Sequence, residues 1–204
     1  MIKSMYKITR YLILSFLMIS FFACKNTTKQ KTAQENQLTE ISEKNGINTL
    51  IDDPENQGDK MLLGAINKKG LSDLKMFPWM DEEMKSYEPE ATTLKKIKEN
   101  LSGVKIKAFM GTWCEDSQRE IPRLYKILEA TDFDLSNMEI VAVSHDKETP
   151  SGFEKNLNIE FVPTLIFYKN DKELGRFVEY AQENLETDIL KIITGATYKH
   201  AYQE

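Results

Sequence analysis

Gly111-Thr112-Trp113-Cys114-Glu115-Asp116-Ser117-Gln118 is the stretch that decides how this chain of 204 residues is read. Before it, Ile106, Ala108 and Met110 alternate with Lys105, Lys107 and Phe109, the period of a strand. After it, Ile121, Leu124, Tyr125 and Leu128 recur at i, i+3, i+4 and i+7, the period of an amphipathic helix. A cysteine therefore stands where a strand gives way to a helix. There it meets unpaired backbone N–H groups and the positive end of the helix dipole, both of which favour thiolate over thiol. Ser117, three residues on, brings a hydroxyl within reach of the sulfur. Glu115 and Asp116 suit a first helical turn, yet their charge opposes a thiolate beside them. The expectation is a modest activation of Cys114.

Working outward, residues 60–67 predict a strand and 67–70 a turn. Residues 71–90 hold Phe77, Pro78, Trp79, Tyr87 and Pro89 with no clear period and read as irregular. Those aromatics either line a groove beside the cysteine or, more commonly, pack against the sheet edge. Thr92 or Thr93 is the expected cap of a helix with Leu94, Ile97 and Leu101 on one face, stopping at Gly103. Lys95, Lys96 and Lys98 fall on its other side and read as a solvated face. Residues 138–143, 164–168 and 173–179 predict strands, 151–157 a short helix and 169–172 a turn. Leu185, Ile189, Ile192 and Ile193 predict a closing helix. The order β-α-β-α-β-β-α specifies an α/β class: a mixed sheet, parallel first and antiparallel at the end, covered by helices.

Composition removes other classes. With 41% hydrophobic residues, a chain of this length buries a core without disulfide staples. Two cysteines exclude a disulfide-rich scaffold, and Cys24, Cys114, His145 and His200 are too scattered for a zinc site. No metal and no cofactor is expected. A net charge of −5 argues against a general nucleic-acid binder, which needs a cationic surplus to displace phosphate counterions.

The two cysteines lie in different surroundings. Lys3, Lys7 and Arg10 precede an apolar run over 11–23, which ends in Ala23 directly before Cys24. A basic start and a short apolar stretch form a secretory signal, too short to span a bilayer comfortably. The small residue before a cysteine resembles a bacterial lipoprotein signal, and that resemblance implies cleavage before Cys24 and its lipidation. Residues 25–45 are polar and free of aromatics, so they read as a tether of roughly 25 Å. Loss of residues 1–23 removes three positive charges and turns −5 into −8. The organisation expected is a signal peptide over 1–23, a lipidated tether over 24–45, an N-terminal extension over 46–89 and a domain over 90–204.

Trp113-Cys114-x-x-Ser117 between strand and helix, Pro122 eight positions beyond Cys114, and Val162-Pro163-Thr164 directly before a strand resemble the thioredoxin superfamily over roughly residues 90–197. The resemblance implies a thioredoxin-like fold with a cis peptide before Pro163, beside Cys114. It implies a catalytic role for Cys114 with Ser117, and substrate binding by Trp113, Val162, Pro163 and Thr164. Two departures matter. The family's second cysteine is Ser117 here, and its buried acid, six residues before the nucleophile, corresponds to Ala108.

What remains is single-thiol chemistry. Cys114 attacks a protein disulfide or a glutathione adduct and an external thiol resolves it, or peroxide oxidises it to a sulfenic acid. The alternative is a non-catalytic binding or folding-assistance module of the cell envelope. The partners expected are envelope proteins or low-molecular-weight thiols, with the membrane reached through lipid on Cys24 and no nucleic acid. His145 serves as a base toward Cys114 or, more commonly for such a residue, is a solvated loop histidine. His200 carries no signal.

Overall fold

The computed structural model describes residues 46–203. The signal and tether readings, with Cys24, fall on residues 1–45 and lie outside the described residues. Six strands form one sheet: β1 (Thr49–Asp52), β2 (Lys60–Ile66), β3 (Val104–Met110), β4 (Met138–Ala142), β5 (Thr164–Lys169) and β6 (Lys172–Val178). Among the described residues four α-helices accompany it: α1 (Pro78–Ser86), α2 (Ala91–Asn100), α3 (Glu115–Ala130) and α4 (Leu185–Thr194). The spatial order is β1-β2-β4-β3-β5-β6. Only β3 and β4 pair in parallel, with Ala108 opposite Ile140; every other pairing is antiparallel. The fold is thioredoxin-like.

Alternation along the strands separates two cores. Ile106, Ala108, Met110, Ile140, Ala142, Leu165 and Phe167 face one way, and the apolar stripes of all four helices join them. Phe109, Val141, Val143 and Ile166 face the other way. Each large aliphatic or aromatic side chain so buried contributes about 1.5–3 kcal/mol. Over its last residues β3 is buried on both faces, which is why Phe109 breaks its apolar-in, polar-out alternation.

Three local readings are corrected. Residues 78–86 form α1 instead of an irregular stretch, because Pro78 occupies the first helical turn, where its missing N–H costs nothing. Phe77 and Met80 anchor this helix in the core, Trp79 packs at a tilt on Phe77, and Arg123 of α3 holds Glu83 at 3.1 Å. The cap of α2 is Glu90, whose carboxylate accepts from the Thr92 and Thr93 N–H groups. The threonines are therefore donors in the first turn. No helix forms over 151–157. Positive φ at Lys147, Gly152, Asn156 and Asn158 turns the chain too often. Phe153, Leu157 and Ile159 from this segment cover the sheet face opposite the helices.

Residues 46–66 supply β1 and β2. They extend the sheet through antiparallel pairing of β2 with β4, with Ala65 opposite Val141. Among the described residues no helix is long and apolar enough to cross a membrane.

Candidate functional site

β3 ends at Met110, and Gly111–Thr112–Trp113 turns the chain into α3. The Cys114 N–H donates to the Gly111 carbonyl (3.0 Å) and Gln118 N–H to the Cys114 carbonyl (2.9 Å), so Cys114 caps the helix. The Cys114 thiol is half-buried and points at the Val162 carbonyl, Sγ to O 3.2 Å. The Val162–Pro163 peptide is cis. Residues 48 positions apart in sequence thus meet at the sulfur.

Ser117 is fully buried and does not hydrogen-bond the sulfur. Its hydroxyl oxygen accepts from the Gly111 N–H at 3.2 Å and closes the turn that presents the cysteine. Thr164 is buried beneath Pro163, and its hydroxyl donates to the Phe161 carbonyl at 2.7 Å. Ala108 is wholly buried, so no carboxylate stands at that position. Of the acids in the first turn of α3, Asp116 is paired with Arg119 at 2.6 Å.

Trp113 is held on several sides. Its indole N–H donates to the Val143 carbonyl at 3.0 Å, and the Lys147 ammonium lies 5.6 Å from the ring centre. Gly111 allows the close approach: a Cβ there would come within 2.4 Å of the indole. His145 stacks on the ring, centroids 4.2 Å apart and planes 24° off parallel. His145 is neither solvated nor bonded to the sulfur. Its side chain is 14% exposed, with Nε2 2.9 Å from Asp53 and Nδ1 3.4 Å from Glu55.

On the other flank, Tyr202 stacks on Phe161, centroids 3.8 Å apart and planes 4° off parallel. Its hydroxyl donates to the Glu179 carboxylate. The Glu179 N–H donates to the Pro163 carbonyl at 2.8 Å. Burial, then the charge of Asp116, pushes the Glu179 carboxyl above its ordinary value.

Sequence reasoning passed over Asp53, Glu179, Tyr202 and Glu120. Glu120 lies on the core side of α3, with one oxygen 2.8 Å from Arg119 Nε and the other without a hydrogen-bond partner among the described residues. Burial raises its carboxyl above the ordinary value. No periodic or motif signal marks any of the four. His200 lies apart from Cys114, in the tail crossing Glu173 and Arg176 of β6.

A family model described as thioredoxin matches residues 78–190, beginning inside the stretch read from sequence as an extension. No curated protein matches the sequence. Among solved structures, a Pseudomonas aeruginosa protein of unknown function is 18% identical, with 59% of this chain and 83% of that one covered and a TM-score of 0.44. A Fasciola hepatica thioredoxin is 22% identical, covering 50% and 89%, with a TM-score of 0.34. The oxidised form of Saccharomyces cerevisiae mitochondrial thioredoxin 3 is 21% identical, covering 50% and 86%, at 0.33.

Proposed function

The chain belongs to the thioredoxin family, and from that premise we propose that it performs single-cysteine thiol–disulfide exchange on envelope proteins or small thiols, anchored to a membrane through lipid on Cys24. The observation that carries the reading is Cys114 at the start of α3, its sulfur 3.2 Å from the Val162 carbonyl, with Ser117 where a resolving cysteine would stand.

The Cys114 thiolate attacks one sulfur of a substrate disulfide. A Cys114–substrate S–S bond forms as the substrate S–S bond breaks, and the departing thiolate takes up a proton. Ser117 cannot displace the substrate, because a buried hydroxyl is no thiol and already serves the Gly111 turn. Cys24 is the only other cysteine and is committed to lipid in this reading. A low-molecular-weight thiolate from outside therefore attacks the mixed disulfide, forming a new S–S bond to the substrate sulfur and returning Cys114 as thiolate. Electron count is conserved at each exchange. Trp113 and the backbone of Val162, Pro163 and Thr164 form the walls beside the sulfur that receive an extended peptide.

In bacterial cells making the full chain, non-reducing gels should show Cys114-dependent adducts in the membrane fraction. Reductant and Cys114→Ser should abolish them, and Cys24→Ser should move them out of that fraction. Partner capture that survives Cys114→Ser unchanged would instead establish the binding module and end the exchange reading.

A further inference from the structure

We infer that Asp53, on the loop after β1, is a positioning residue for this site: through His145 it fixes the Trp113 indole, so that the segment around β1 completes the wall on which a substrate peptide packs beside Cys114. The inference deepens the exchange reading and rests on it.

Asp53 is built into place. Its side chain is 3% exposed. One carboxylate oxygen accepts from the Glu55 N–H (2.9 Å) and the Asn56 N–H (3.2 Å) and faces His145 Nε2 at 2.9 Å. The other accepts from the Asn56 side-chain amide at 3.1 Å. Burial works against the charge, but the hydrogen bonds from Asn56, Glu55 and His145 outweigh it, and the carboxyl sits below its ordinary value.

His145 is thereby held at Nε2 by Asp53, with the Glu55 carboxylate of the same loop 3.4 Å from Nδ1. Its plane is set against the indole of Trp113, the residue adjacent to the nucleophile. A second tie runs the same way: the Leu62 N–H of β2 donates to the Thr112 hydroxyl at 3.1 Å, inside the turn that presents Cys114. The loop thus meets the site through an aromatic wall, while the sulfur itself bonds elsewhere, to Val162. Displacing His145 should disturb how a peptide lies on Trp113 and leave the thiol's own reactivity alone.

The test uses the full chain and two probes, with modification read at Cys114 by mass spectrometry. Iodoacetamide needs only the thiol, whereas a glutathionylated model peptide must also pack on the wall. Asp53→Ala and His145→Ala should slow transfer from the peptide about tenfold, as misplacement of a positioning group does, with the iodoacetamide rate unchanged. Asp53→Asn, which keeps the acceptor oxygen facing His145, should recover most of the peptide rate. In a Trp79→Phe background, the remaining Trp113 emission should move to longer wavelength in the two alanine variants and not in Asp53→Asn. Unchanged emission in His145→Ala would overturn the clamp, and shifted emission with an unchanged peptide rate would overturn its role in recognition. A wild-type chain that iodoacetamide labels at Cys114 but that takes nothing from the peptide would instead sink the exchange reading.

Discussion

Cys114 is flanked by two walls that the chain holds in opposite ways. On one side, Trp113 is backed by His145 and a carboxylate almost wholly removed from water, Asp53 with its neighbours in register. On the other, the loop of Phe161 and Pro163 is backed by Tyr202, a side chain in a residue 44% exposed, lying flat on Phe161. The first support draws on the beginning of the described chain and the second on its end. A buried polar anchor is costly to damage, since each donor it leaves behind is stranded away from water. A solvent-facing ring stack holds by contact area and is adjustable.

Three measurements probe that contrast, beginning with the largest effect. Asp53→Leu strands the Glu55 and Asn56 N–H groups and His145, and should cost about 3 kcal/mol in urea denaturation. A cost no greater than that of the ring stack would erase the distinction. Tyr202→Ala should cost about 1 kcal/mol or less by the same assay. It should raise amide exchange around Phe161 while leaving residues 53–56 unaffected.

The smallest effect is a divergence with pH, read amide by amide by hydrogen exchange. Asp53 has a depressed carboxyl, so its stabilisation is full above the ordinary 3.8 and is lost as pH falls through the folded value. Glu179 has a raised one, so its ionised form carries a penalty that disappears as pH falls through a value above 4.5. Acidification should therefore deprotect the Glu55 and Asn56 amides while the Glu179 amide, bonded to Pro163, keeps or gains protection. Parallel loss on both walls would break the comparison.

Much of the sheet was legible in the sequence because β3 alternates and β4 and β5 are short apolar runs. Cys114 was picked out by its place between strand and helix and the cis Val162–Pro163 peptide by the family resemblance, and the two meet at the sulfur. Three of the failures depend on partners distant in the chain. Residues 78–86 look irregular until Arg123 and the core receive Glu83, Phe77 and Met80. β1 holds four residues, too few for a pattern, and exists because β2 pairs with it. Asp53 and His145 lie 92 positions apart, and nothing near either announces the other. Ser117 lies in the expected turn, but its hydroxyl is engaged by the Gly111 N–H six positions back, a contact set by how the turn closes and marked by no residue pattern.

The strand order bears on how the molecule resists self-association. Among the described residues, a sheet of six strands that does not close leaves two rows of backbone groups available to neighbours, those of β1 and β6. β6 lines its exposed stretch with Lys172, Glu173 and Arg176, charges that discourage an added strand. β1 is guarded by brevity, and it ends at Asp52, which pairs with Lys60 of the adjoining strand. Among the described residues, neither edge offers a long apolar template.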